Sequence, residues 1–271
     1  QSNHSVSKKK DKSKKDKSKK DKSIFHKKSD AGKGDKIRRS ISQDEWGKKY
    51  EKIFGKKEKK KDTMCILPWN HVYTNTDGMV GPCCVAKNIY RNYEPKALSI
   101  SNHSVLEATN SKFMKELRVD MMNGIENPAC ETCYYQESLG NQSVRWGKNS
   151  GFKLEEQRDK LLKNTKKDGE LKSLKDIQYL DIRFSNLCNF KCIMCNHMFS
   201  SAWHEDAKKL QYDGWWLYNE NDPQVITAGT DDDLWSKIEP LLHGPVEFIY
   251  FAGGEPLITE NHYKILERLI E

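Results

Sequence analysis

Three cysteines, Cys188, Cys192 and Cys195, lie in the stretch Asn186–Cys195, spaced by three residues and then by two. Cysteine thiolates hold iron–sulfur clusters, and a cubane cluster has four irons to ligate. Three local thiolates leave one iron open unless a fourth ligand arrives from elsewhere. An open iron binds a small molecule, which turns an electron-transfer centre into a chemical one. The competing chemistry is zinc, for which His197, two residues past Cys195, would be the fourth ligand.

A second set of cysteines lies upstream. Cys65 precedes Pro68-Trp69, and His71-Val72-Tyr73-Thr74 has the composition of a strand. Asp77-Gly78 is a turn pair, and Met79-Val80-Gly81 runs back toward Pro82-Cys83-Cys84. Such a hairpin returns Cys83 to the neighbourhood of Cys65. Ser104 and Glu107 have capping-box spacing. Leu106, Phe113, Leu117 and Met121 then fall close to one helical face, with Gly124 suited to the C-terminal cap. Cys130 and Cys133 follow, so a hairpin and a post-helix loop deliver thiolates that could meet at one metal centre, a cluster or a structural zinc. Side chains of adjacent residues diverge, so Cys83 and Cys84 are not expected on the same centre.

Stepping outward from the cysteines, a strand is expected over Ile177–Phe184, with Tyr179 and Asp181 on the face opposite Leu180 and Ile182. It runs straight into Cys188. A helix through Ala202, Trp203 and Leu210 follows, then a short helical stretch, Asp232–Ile238. A second strand is expected over Val246–Phe251, bounded by Gly244-Pro245 and by Gly253-Gly254-Glu255-Pro256. Asn261–Ile270 has helical spacing. Strand, helix, strand, helix is the opening of a parallel α/β barrel. Residues 152–168 are rich in helix formers with a thin apolar face, and predict a connecting helix across the surface. His71, His103, His204, His243 and His262 are scattered and are expected to be structural or exposed rather than catalytic. Trp215, Trp216 and Trp235 suit packing or an interface rather than a cofactor box, and no role is assigned to them.

Charge divides the chain sharply. Residues 1–62 carry 24 Lys and Arg against 10 Asp and Glu, a balance of +14, so the remaining residues carry −6 of the total +8. Residues 9–23 repeat Lys-Lys-Asp-Lys-Ser, a period that fits neither helix nor strand, and predict a disordered tail. A solvated tail is favoured over a nucleic-acid-binding arm, because no aromatic or motif context specifies a groove. Trp46, Tyr50, Ile53 and Phe54 are the first apolar cluster, suited to a short docking helix. All eight cysteines lie between Cys65 and Cys195. No secretory h-region and no apolar run of membrane-spanning length occurs. The expectation is a protein of the reducing cytoplasm with no membrane partner, whose cysteines serve metal or catalysis rather than disulfides.

The Cys188/Cys192/Cys195 spacing followed by Gly253-Gly254-Glu255-Pro256 resembles the radical S-adenosylmethionine (SAM) superfamily. Its members carry C-x3-C-x2-C after the first strand of a partial (β/α)6 TIM-like barrel, and a GGEP stretch that cradles the methionine end of SAM. The resemblance implies a four-iron four-sulfur cluster with an open iron on Cys188, Cys192 and Cys195. It also implies SAM bound by Gly253, Gly254, Glu255 and Pro256, with Met194 where the family often has an aromatic residue against adenine. One-electron reduction of SAM, fed by an external reductant, would give methionine and a 5′-deoxyadenosyl radical that abstracts hydrogen from substrate. No side chain is singled out as catalytic.

Cys65, then twelve residues, Gly78, four residues and Cys83 is similar to the SPASM/twitch auxiliary-cluster pattern, with Cys130 and Cys133 like the start of its second cysteine group. The resemblance assigns Cys83 rather than Cys84 to the centre, and the absence of later cysteines fits one auxiliary cluster, as in the twitch form. In the family this domain usually follows the barrel, whereas here it precedes it. Members with such domains often modify peptides or proteins, or oxidise an alcohol or amine. The expected organisation is a tail over 1–62, a small α+β auxiliary domain over 63–150, a connecting helix over 151–176 and the first part of the barrel over 177–271. Only two βα units of six are present, so the chain reads as a fragment. The competing function is a non-catalytic zinc-binding interaction module whose basic tail contacts nucleic acid.

Overall fold

Four short strands and the helices around them separate two hydrophobic cores. The computed structural model describes residues 62–87, 98–210 and 221–270, together with Lys49. The lysine repeats, the Trp46–Phe54 patch and Trp215-Trp216 lie outside these described residues.

A one-turn helix α1 (Leu67–Asn70), with Pro68 in its first turn, leads directly into β1 (His71–Thr74). The chain reverses at Gly78 and returns as β2 (Val80–Gly81), antiparallel to β1, with Tyr73 opposite Gly81. Gly78 has φ +74°, and an added Cβ would come within 2.8 Å of Ala228 and Ser99 atoms, so the turn requires glycine on both counts. The expected hairpin is therefore present.

The expected single helix after Ser104 is two helices. α2 (Val105–Thr109) carries the capping box, with the Ser104 hydroxyl accepting from Glu107 N–H and the Glu107 carboxylate accepting in return. At Asn110 the chain breaks and Ser111 caps α3 (Lys112–Asn123), which ends on Gly124 at φ 75°. The break rotates the face, so Val105 and Ala108 are buried in place of Leu106. A 3-10 turn (Pro128–Cys130) then leads into α4 (Glu131–Ser138) and, after a bend, α5 (Val144–Gly151). Helix α6 (Leu154–Lys163) is shorter than expected over 152–168. It is not a surface connector, since Leu154 and Leu161 are buried in a core.

β3 (Tyr179–Ile182) is followed by the cysteine loop, a 3-10 turn (Ser201–Trp203), α7 (His204–Leu210) and α8 (Asp231–Leu242). β4 (Phe248–Phe251), a 3-10 turn (Pro256–Ile258) and α9 (Glu260–Ile270) complete the described chain. The sheet order is β2-β1-β3-β4, with β1, β3 and β4 parallel. It is an open four-stranded sheet in a mixed α/β fold, and β1 from the upstream hairpin pairs directly with β3.

Alternation on β3 follows expectation, and both faces are covered. Tyr179 joins Tyr73, Trp69, Leu117 and Leu161 in one core, while Leu180 and Ile182 join Val72, Leu234 and Ile265 in the other. Arg118 anchors the first core. Fully buried, it donates from Nε to Pro68 O (2.9 Å) and from Nη1 to Gly169 O (2.8 Å), with a further bond from Nη2 to Thr109 O.

Candidate metal centres

Cys65, Cys83, Cys130 and Cys133 line one pocket, whose apolar walls include Leu67, Val85, Ala129 and Val144. Each is delivered by a different device. Asn149 brackets the first, its Oδ1 accepting from Ile66 N–H (2.8 Å) and its Nδ2 donating to Met64 O (2.8 Å) on either side of Cys65. The turn after β2 supplies Cys83, and Lys87 N–H donates to Ala129 O (2.9 Å), tying that turn to Cys130. Cys133 sits in the first turn of α4.

Burial pushes the thiols of Cys65 and Cys130 up to about 12, and the neighbouring cysteines add to the shift. Burial also raises Cys83, with Cys65 contributing next. Thiolates at Cys65, Cys83 and Cys130 therefore do not form together here without a cation to offset both desolvation and mutual repulsion. Among the described residues, Arg145 is the one cation in the wall. It pairs with Glu137 and donates to Met64 O (3.0 Å). A single zinc with bonds of about 2.3 Å would draw four sulfurs to roughly 3.8 Å from one another. Among the described residues no three His, Cys, Asp or Glu side chains are drawn together in a single-ion arrangement. Zinc and a four-iron centre draw on the same four thiols, the latter taking each at a separate iron.

Cys84 does not line this pocket. Its thiol lies within electrostatic reach of Asp181, Arg183 and Lys148, and burial followed by Asp181 raises it. Asp181 and Arg183 are a buried ion pair at 2.6 Å, and the guanidinium stands 4.7 Å over the Tyr73 ring. Burial raises the Asp181 carboxyl, opposed by Arg183.

Cys188, Cys192 and Cys195 occupy the loop at the carboxyl end of β3. All three are close enough to interact, since Cys195 is raised first by burial and then by Cys192 and Cys188. The turn ahead of α7 holds the loop residue by residue. Cys188 N–H donates to Ser201 Oγ (3.1 Å), Ser200 Oγ donates to Phe190 O (2.7 Å), and Trp203 Nε1 donates to Cys192 O (3.1 Å). Phe190 N–H points at Cys188 Sγ (3.4 Å). Ile193 and Met194 stand out from the loop, each 94% exposed.

Gly253 and Gly254 have φ +72° and +61°. Gly254 is crowded by backbone and Gly253 by side chains of the same chain. A Cβ on Gly254 would meet Leu187 O at 2.4 Å, and one on Gly253 would meet Arg183 Cγ at 2.7 Å. Gly254 N–H donates to Phe199 O (2.8 Å) and Glu255 N–H to Leu187 O (2.8 Å). The Glu255 carboxylate accepts from Leu257 N–H (3.1 Å), capping the 3-10 turn that Pro256 begins. The two sequence motifs, some sixty residues apart, thus meet at the carboxyl ends of adjacent parallel strands.

Among the described residues no group of histidines with other metal-binding side chains is drawn together. His71 is buried, stacked on Tyr179 at 4.2 Å, and burial lowers it to about 3. His197 is buried, with its Nε2 3.5 Å from Asp222. Sequence reasoning passed over Asn149, Ser200, Ser201 and Asn186, polar residues that hold backbone next to the cysteines. Asn186 had the signal of position, two residues before Cys188, whereas Asn149 lies within α5 and reaches the backbone around Cys65 only through tertiary structure.

Residues 65–134 match the family model SPASM, described as an iron-sulfur cluster-binding domain. The match spans Cys65, Cys83, Cys130 and Cys133. No curated protein and no solved structure matches the chain. No helix among the described residues is long and apolar enough to cross a membrane.

Proposed function

We propose that the protein is a radical SAM enzyme with one auxiliary iron–sulfur centre, acting in the cytoplasm with an external one-electron reductant. The observation that carries this reading is the docking of Gly253-Gly254-Glu255 against the Cys188–Cys195 loop. Ligands bind at the carboxyl ends of parallel strands in α/β folds, and both motifs lie there. The iron-sulfur domain match over the four-cysteine pocket adds independent support.

In this reading Cys188, Cys192 and Cys195 hold a four-iron cluster with one open iron, and Cys65, Cys83, Cys130 and Cys133 hold the auxiliary one. The cluster with SAM supplies reductive cleavage of a carbon–sulfur bond and hence a carbon radical for hydrogen abstraction. The chain's own part is placement. Ser200, Ser201 and Trp203 fix the loop's backbone, and Gly253-Gly254 fixes the floor beneath it. Glu255 offers a carboxylate to the SAM ammonium once released from capping Leu257, and Met194 offers a polarizable, exposed surface for adenine. A peptide or protein substrate fits the auxiliary-domain type.

Anaerobic reconstitution of the full chain with ferrous iron and sulfide tests the reading. We expect about eight irons per chain, falling by roughly half when Cys188, Cys192 and Cys195 are replaced by Ala. Dithionite and SAM should then yield 5′-deoxyadenosine. Stoichiometric zinc without labile sulfide would overturn the reading in favour of a zinc-binding interaction module.

A further inference from the structure

We infer that Asn186 is the positioning residue that closes the cysteine loop into a preformed ring. This rests on reading Cys188, Cys192 and Cys195 as cluster ligands. Asn186 is 0% exposed, and every one of its polar atoms is committed. Its Nδ2 donates to His197 O (2.7 Å) and to Gln224 O (3.1 Å), while Oδ1 accepts from Ile226 N–H (2.7 Å). Its backbone N–H donates to Ile226 O (2.9 Å) and its carbonyl accepts from Ser201 N–H (2.7 Å).

The geometry matters because of where these partners stand. Asn186 precedes Cys188 by two residues, and His197 follows Cys195 by two. One side chain therefore bolts the start of the loop to its end and fastens both to the 224–226 segment. Holding the ends together removes in advance the loop-closure part of the freedom that the loop would otherwise lose on binding metal. The three thiols then stand at set separations before any iron arrives. Outer-shell residues that orient ligands in this way typically change metal affinity by about 10–100-fold when replaced. The chemistry also identifies the residue type. A carboxylate here would keep the acceptor for Ile226 but would face two carbonyl oxygens with no proton to give.

Asn186→Asp in the full chain tests this, with Asn186→Ser as the milder variant should the first fail to fold. In the metal-free protein, amide hydrogen exchange over residues 187–197 should speed up about tenfold or more, while exchange over 65–134 stays as in the wild type. In protein loaded with ferrous iron and sulfide, the iron lost on triple replacement of Cys188, Cys192 and Cys195 should escape to a chelator at least about tenfold faster. The electron paramagnetic resonance of that centre should shift, with the auxiliary signal unchanged. Equal acceleration across both regions, or unchanged exchange in the loop, would overturn the inference. If the wild type holds no iron on those three cysteines, the proposed function fails while the exchange measurement still decides the latch.

Discussion

The Leu187 carbonyl accepts from Glu255 N–H at 2.8 Å, and the same oxygen would sit 2.4 Å from any Cβ placed on Gly254. The cysteine loop and the Gly-Gly segment are therefore one interlocked unit. Gly254→Ala should force them apart, since it combines that clash with a left-handed backbone that costs a non-glycine residue roughly 1–3 kcal/mol. We expect a lower melting temperature and loss of about half the bound iron, read by iron analysis beside the auxiliary signal.

The adjacent cysteines should separate cleanly. Cys83→Ala removes a wall of the four-cysteine pocket and should abolish auxiliary iron. Cys84→Ala lies outside that pocket and should leave iron content unchanged. A reversed outcome in the iron assay would show that the thiol after β2 has been assigned to the wrong residue.

His71 should contribute to acid sensitivity. Its folded value, about 3, lies below the ordinary 6.5 because burial disfavours the charged ring. The unfolded chain thus binds the extra proton first. Stability from this residue is fully present above about pH 6.5 and is lost progressively as pH falls toward 3. His71→Phe, which keeps the stack on Tyr179, should flatten the urea-unfolding free energy across that window.

Asp181→Asn should leave the Arg183 guanidinium buried without its carboxylate. Breaking a buried pair from one side costs about 3–5 kcal/mol. Chemical denaturation of the metal-free protein would read the loss, and Asp181→Asn with Arg183→Met should recover much of it.

Under the proposed function, deleting residues 1–60 should leave iron content and SAM cleavage unchanged, because the candidate ligands begin at Cys65. Nucleic-acid binding by the intact chain, if measured, should weaken steeply with salt and vanish with the deletion.

Much of the arrangement was written locally. The Asp77-Gly78 turn, the Ser104–Glu107 capping box and the Gly124 cap each follow from chemistry within a few residues, and each is present. The pattern of Tyr179 and Asp181 against Leu180 and Ile182 was equally legible from period two. The break at Asn110–Ser111 was not, because Asn110 is held by tertiary partners, its Oδ1 accepting from Leu171 N–H (2.8 Å). Likewise the burial of α6 depends on Leu154 and Leu161 meeting Trp69 and Leu117, residues far away in sequence. The glycines at 253–254 show the same limit. Their need for close approach was readable, but the object approached, Leu187 O and Arg183, was a fact of tertiary structure.

The parallel pairing of β1 with β3, His71 beside Tyr179 and Tyr73 beside Asp181, bears on how this chain can be divided. The family match ends at residue 134, yet the strand within it is stitched to one more than a hundred residues later. Trp69 adds a second stitch, its indole donating to Thr165 Oγ1 at 2.9 Å. Excising the matched segment would expose a hydrogen-bonding edge on each piece and strip Tyr179 of the ring it stacks on. The cluster-binding segment is thus poorly suited to transplantation as a cassette, and a graft into another scaffold would have to bring β3 with it.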